Sequence, residues 1–221
     1  VAIKRTGWFV LLAFLAGCAT VRDSPKYQLA DGEYFFHQRG QKAQKVYVHI
    51  DEETDTITVR YLKGGSPMIK KSTDEFFTQR SFDLDVLVAP FKYRATQVPL
   101  PPQLNTSFNG NLFLGYRWDR FKLRFRNTPA GLQKKLVHRA FSLGGFGGIG
   151  SSPINPWTTN NAITEEYDGF VLSKGMAALV GINNLTVGVA LGFDHLTGRD
   201  RPVWIYENDP WVGLVVGLNL N

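Results

Sequence analysis

The C-terminal part of the chain is written in a two-residue rhythm that few folds can use. Leu185, Val187, Val189, Leu191 and Phe193 alternate with Thr186, Gly188, Ala190, Gly192 and Asp194. Val212, Leu214, Val216, Leu218 and Leu220 alternate with Gly213, Val215, Gly217 and Asn219. A period of two belongs to extended strand, whose successive side chains leave opposite faces. The second face is what narrows the choice. A soluble sandwich turns apolar side chains inward and charge outward; here the face opposite the bulky residues is mostly small. Glycine weakens a strand unless close packing needs the space. The interior of a narrow closed barrel needs it, and the bulky face would then meet lipid.

The rhythm extends upstream. Gly169–Ile182 and Leu185–Leu196 flank Asn183-Asn184, and Asn tolerates the positive φ of a two-residue hairpin turn. Phe82, Leu84, Val86 and Val88 oppose Asp83, Asp85, Leu87 and Ala89; Phe108, Leu112, Leu114 and Tyr116 oppose Asn109, Asn111, Phe113, Gly115 and Arg117. Trp118-Asp119 reads as a turn, after which Phe121, Leu123 and Phe125 alternate with Arg120, Lys122, Arg124 and Arg126. Strands are thus predicted over 81–94, 107–117, 119–126, 137–150, 168–182, 185–197 and 202–220. Single-chain bacterial barrels have even strand numbers, so an eighth is expected from 44–50 or 56–62.

The fold class that follows is all-β: a small antiparallel up-and-down β-barrel of about eight strands, residues 81–221, preceded by an N-terminal β-meander over 31–63 and a polar connection over 64–80. Such a barrel is filled by its own side chains and has no wide pore. Tyr93, Tyr116, Trp118, Trp204, Tyr206 and Trp211 lie near strand ends and are expected to form interfacial girdles. Setting the Asn183-Asn184 turn in the periplasm places the 151–164 and 197–202 loops outside the cell. It leaves the 95–106 and 127–135 connections and the C-terminus in the periplasm.

The start of the chain, VAIKRTGWFVLLAFLAGC, has a basic pair (Lys4, Arg5), a short apolar stretch and small residues leading into Cys18. That order is a secretory signal over 1–17. Leu15-Ala16-Gly17-Cys18 resembles the lipobox at which bacterial lipoproteins are cut and acylated on the cysteine, palmitate being one such chain. Cys18 is the only cysteine, so no internal disulfide can form, and residues 18–30 read as a lipidated tether. The formal net charge is +6, with scattered basic residues and no long basic run of the kind that marks a nucleic-acid tail.

Candidate chemistry is sparse. Asp194-His195 is a carboxylate–imidazole pair, but adjacent strand residues face opposite ways, so a lumen aspartate and a rim histidine are expected. His37, His49 and His138 are widely spaced, which gives no metal grouping and no implied cofactor. SLGGFGGIG lacks the Lys-Ser/Thr of a phosphate loop. Asp83 and Asp85 on one strand, and Arg120, Lys122, Arg124 and Arg126 on another, are the candidate lumen charge network, since charge facing lipid is costly. The same cations carry a sharper alternative, a small-anion or lipid-headgroup site.

NGNLFLGYR, SLGGFGGIG and LVGINNLTVGVALGFDHLTG…WIYENDPWVGLVVGLNLN resemble uncharacterised outer-membrane β-barrel lipoproteins of Bacteroidota. The resemblance implies compartment and fold and carries no catalytic motif. The expectation is a non-enzymatic protein, lipid-anchored to the outer membrane, with a structural or accessory role beside outer-membrane lipid and a larger envelope complex as partners. A soluble periplasmic ligand-binding β-domain and a lipid-modifying barrel enzyme are the alternatives.

Overall fold

A computed structural model describes residues 28–38, 42–51, 56–66, 75–97, 100–129, 131–182 and 185–219. The expected signal segment over 1–17, Cys18 and the Asn183-Asn184 pair lie outside the described residues. Among the described residues ten strands form: β1 (Gly32–His37), β2 (Gln44–Asp51), β3 (Thr56–Tyr61), β4 (Glu75–Arg94), β5 (Gln103–Asn105), β6 (Asn109–Thr128), β7 (Gly131–Ile154), β8 (Tyr167–Ile182), β9 (Leu185–Leu196) and β10 (Pro210–Asn219). The chain is all-β and antiparallel. The neighbours β4-β6-β7-β8-β9-β10 form a ring that closes where β10 pairs with β4.

The ring therefore holds six strands, and the reason lies in β6. No turn forms at Trp118-Asp119: β6 runs unbroken and pairs with β7 from Asn109↔Gly150 to Thr128↔Gly131. Two expected strands are one, which resolves the odd count without an eighth strand from the meander. It also moves a loop. The 95–106 segment lies at the same end of the ring as the β7–β8 and β9–β10 connections, not with the tight hairpins as expected. Most of 127–135 is itself strand. β4 likewise starts at Glu75, inside the expected connection.

The meander forms as expected, with β1, β2 and β3 paired in order. It joins the ring through β1, which pairs with β4 over Phe35↔Thr78 to His37↔Phe76. Its apolar face (Tyr34, Phe36, Val46, Val48, Val59) packs on the inward-pointing Phe77, Phe121 and Leu123. Tyr34 meets Phe121 edge-on at 5.8 Å between centroids. This is a hydrophobic core at the hairpin end of the ring.

Within the ring the faces follow the alternation. Leu87, Ala89, Phe113, Phe146, Ala177, Leu179, Ala190, Trp211 and Val215 fill the middle. Six strands enclose little room, which is why the inner rows are small. At Gly192 an added Cβ would lie 2.4 Å from the Trp211 ring and 2.9 Å from Phe146. The outer face is apolar on all six strands. Phe82, Leu114, Leu143, Leu172, Val189 and Leu214 represent the six and are all exposed. Lys174 is the one outward cation within this belt among the described residues. About ten residues per strand at ~3.3 Å rise and ~40° tilt would give the belt a height of ~25 Å.

The aromatic residues divide. Tyr93, Tyr116 and Trp118 are exposed on the outer face, whereas Trp204, Tyr206 and Trp211 are buried. The girdle expectation fails for the latter three because Trp211 shares the inner row with Gly213, and Trp204 and Tyr206 fold over the mouth with Leu100, Ile154, Val171 and Leu196.

Candidate functional site

Among the described residues, apart from Glu75, which is buried at the start of β4, buried charge lies in two clusters, one near each end of the ring. The cluster at the loop end depends on an irregularity in β4. Leu214 pairs with Phe91 but Val216 with Val88, so β4 carries an extra residue there, a bulge at Ala89-Pro90. Proline is accommodated at such sites because no ladder hydrogen bond is required of it. Asn109 stands in for the missing backbone partner: its amide donates to Ala89 O and its carbonyl accepts from Ala89 N–H, both at 2.7 Å. One extra residue exchanges the faces. Before the bulge Asp83, Asp85, Leu87 and Ala89 point inward; after it Lys92 and Arg94 do.

Those two cations converge on Asp194. Lys92 Nζ donates to both carboxylate oxygens at 3.1 Å, and Arg94 Nη2 donates to Oδ2. Ser173 Oγ donates to Oδ1 at 2.6 Å and Trp211 Nε1 to the same oxygen at 2.9 Å. Lys92 also sits 4.5 Å from the Trp211 ring centre, and Arg94 lies over Tyr206 at 4.8 Å and Trp204 at 5.5 Å. With both carboxylate oxygens occupied, Asp194 is poised to hold strands together rather than to take a proton from a substrate.

The cluster at the hairpin end is built on Arg117. Its Nη1 donates to Asp83 at 3.1 Å and its Nε to Asp119 at 2.9 Å. Ser142 Oγ donates to Asp83 at 2.5 Å, and His138 Nε2 lies 2.7 Å from Asp119. Asp85 is buried on the same row of β4.

These contacts correct the expected charge network. Asp83 and Asp85 are interior, as read, but Arg120, Lys122, Arg124 and Arg126 are not. They occupy the outer face of β6, with Lys122 half-buried and the others exposed. The cause is the unbroken strand: odd-numbered residues of β6 stay inward through Leu123, so the partner of Asp83 is Arg117. Asp194 and His195 separate as expected. Asp194 is buried, while His195 Nδ1 lies 2.5 Å from Glu207 at the mouth. Among the described residues no group of three or more His, Cys, Asp and Glu could hold a metal ion.

Lys92, Arg94, Ser173 and Trp211 escaped the sequence reading as partners of Asp194, as did the cluster in which Arg117 and Ser142 bind Asp83 while Arg117 and His138 bind Asp119. Pro90 was the visible sign of the first set, and the inward row of β6 was the sign of the second.

Beyond the apolar belt, the outer face of β4, β6 and β7 changes abruptly. Phe82, Tyr116, Trp118 and Phe141 form a chain of ring contacts 4.9–6.3 Å apart. On its far side Arg120 stands directly opposite Arg139 and Lys122 opposite Val137. No family model, curated protein or solved structure matches the chain.

Proposed function

We propose that the chain is a lipid-anchored outer-membrane β-barrel protein with a structural or accessory role in the bacterial envelope and no catalytic activity. The observation that carries this reading is the inversion of the ring: apolar side chains outward on all six strands, paired charges inward. A folded chain in water would leave that belt unsatisfied, since exposed apolar patches beyond a few hundred Å² are rare on soluble monomers. A bilayer accepts it, and a closed ring leaves no unpaired strand edge inside hydrocarbon. The packed middle, with Trp211 and Phe113 fully buried, argues for a plug rather than a solute path.

The soluble ligand-binding alternative has the belt against it. The enzyme alternative has against it the separation of Asp194 from His195 and the saturated hydrogen bonding of Asp194. Lipid on Cys18 adds to the anchoring and ties the N-terminal segment to the membrane surface. The reading places outer-membrane lipid around the belt and leaves the loop end or the meander to meet a larger envelope complex.

The test is fractionation and gel migration of the full chain. Recovery with outer membranes and a folded band that shifts on boiling are expected. A mature protein that folds and stays soluble without detergent overturns the reading. In Cys18→Ala the barrel should still reach and remain in the outer membrane; release into the periplasm would show that the lipid, not the belt, holds the protein.

A further inference from the structure

The cations expected inside the barrel stand together outside it, at one edge of the apolar belt. Along the outer rows of β4 residues 76–82, β6 residues 116–126 and β7 residues 133–141 the charged side chains are Arg80, Arg120, Lys122, Arg124, Arg126, Lys135 and Arg139, and no carboxylate. Arg120 and Arg139 are direct cross-strand neighbours. Like charges in that position are destabilising, and among the described residues neither has a carboxylate partner. The pair is therefore kept against its own repulsion, which an anion between them would relieve.

The place has a shape as well as a charge. Phe76, Arg120, Lys122, Val137 and Arg139 line a shallow pocket of about 220 Å³. Phe76 forms one wall and orients two of the cations: Arg120 Cζ is 4.3 Å and Lys122 Nζ 5.4 Å from its ring centre. The next row toward the belt pairs Trp118 with Phe141. Trp and Tyr collect at the headgroup level of a bilayer, so the pocket falls where lipid phosphates lie.

We infer that this pocket holds the phosphate of an anionic phospholipid headgroup, between Arg120, Lys122 and Arg139, with the acyl chains running up the apolar face past Trp118 and Phe141. The inference rests on the membrane reading and gives it a lipid preference. Guanidinium groups suit the task because their planar donors match phosphate oxygens in pairs.

The test uses the full chain, purified in a zwitterionic detergent and mixed with equal amounts of phosphatidylglycerol and phosphatidylcholine. Retained lipid is read by native mass spectrometry, and each sample is run unboiled on a gel to report the folded barrel. The expected result is selective retention of phosphatidylglycerol by the wild type. The preference should fall roughly tenfold or more in the double variant R120Q/R139Q, the scale of two cations beside an anionic surface. It should survive in R199Q/R201Q, the same charge change at the loop end, and fall only partway in R120K/R139K, which keeps the charge but loses the paired planar donors. Equal retention of the two lipids by a folded wild type, or equal loss in both glutamine variants, overturns the headgroup site and leaves the barrel standing. Absence of the heat-sensitive folded band in the wild type sinks the membrane reading and the site with it.

Discussion

The two halves of β6 are made of one unbroken strand and obey one alternation, yet they are built inside out relative to each other. From Asn109 to Arg117 the inward row is Asn109, Asn111, Phe113, Gly115 and Arg117, and the outward row is apolar, with Leu112 53% and Leu114 61% exposed. From Asp119 the inward row becomes Phe121 and Leu123, both 0% exposed, and the outward row becomes Arg120, Lys122, Arg124 and Arg126. The backbone does not change direction or register between them. What changes is what each face meets. In the first half the apolar row faces away from a crowded interior that mixes small, polar and aromatic side chains; in the second it faces the meander core. Strand geometry fixes which side chains share a face, and only the surroundings decide which face wants to be apolar.

Arg117 marks the point of inversion and gives the largest expected effect. It is the interior cation between Asp83 and Asp119. Arg117→Ala leaves two buried carboxylates short of their main partner, a loss of about 3–5 kcal/mol. Urea titration followed by loss of the unboiled folded band should show it. If the loss is no greater than for Arg124→Ala on the outer row, the interior charge cluster is not holding the halves together, and the comparison collapses.

The outer row should respond strongly in one half and hardly at all in the other. Leu114→Arg puts a charge into the apolar belt and is expected to cost about 2–4 kcal/mol near its middle. Arg124→Leu, only ten positions along the same row, should stay within about 0.5 kcal/mol, as surface changes usually do. Both are read by the denaturant midpoint of the protein in detergent or vesicles. Equal, small effects would mean that the outer faces of the two halves meet the same solvent.

This inversion also explains what the sequence disclosed and what it concealed. The rows of β9, β10 and the first half of β6 were legible because alternation alone assigns a face. The turn read at Trp118-Asp119 was a misreading of chemistry as geometry. When the polar residues move from the odd to the even row, the pattern resembles a one-residue break, since a slip of one exchanges every face. At Ala89-Pro90 the converse happened: a real extra residue exchanged the faces, and the sequence showed only a proline. Lys92 and Arg94 were hidden for that reason, and with them the partners of Asp194. Trp211 was readable in principle, since it shares a row with Gly213 and Gly217. That it hydrogen-bonds Asp194 depends on pairing across β9 and β10, which no local pattern encodes.

The smallest effect expected lies outside the ring, where the meander is braced by side chains in water. Asp31 accepts the Ile50 N–H at 2.7 Å and lies 2.6 Å from His49 Nδ1, joining the entry to β1 to the end of β2. The Ile50 hydrogen bond first, and then His49, hold the Asp31 carboxyl below the usual carboxylate range. The native state therefore binds this proton less readily than the unfolded chain, whose aspartates titrate near ~3.9. The stabilisation is fully present above that value and disappears as pH falls through the lower, folded one. Both side chains are substantially exposed, 45% for Asp31 and 60% for His49, so solvent screens the pair and the contribution is small. Asp31→Asn should lower the denaturant midpoint slightly at neutral pH, and the gap from wild type should narrow progressively as pH falls below the unfolded value of about 4. The cost of Leu114→Arg comes from a charge placed in the apolar belt rather than from a titrating carboxylate, so its gap from wild type should show no such narrowing over the same range. A gap that instead widens in acid would mean that Asp31 braces the meander through its neutral form, and that the meander is not held by the same solvent-facing rules as the second half of β6.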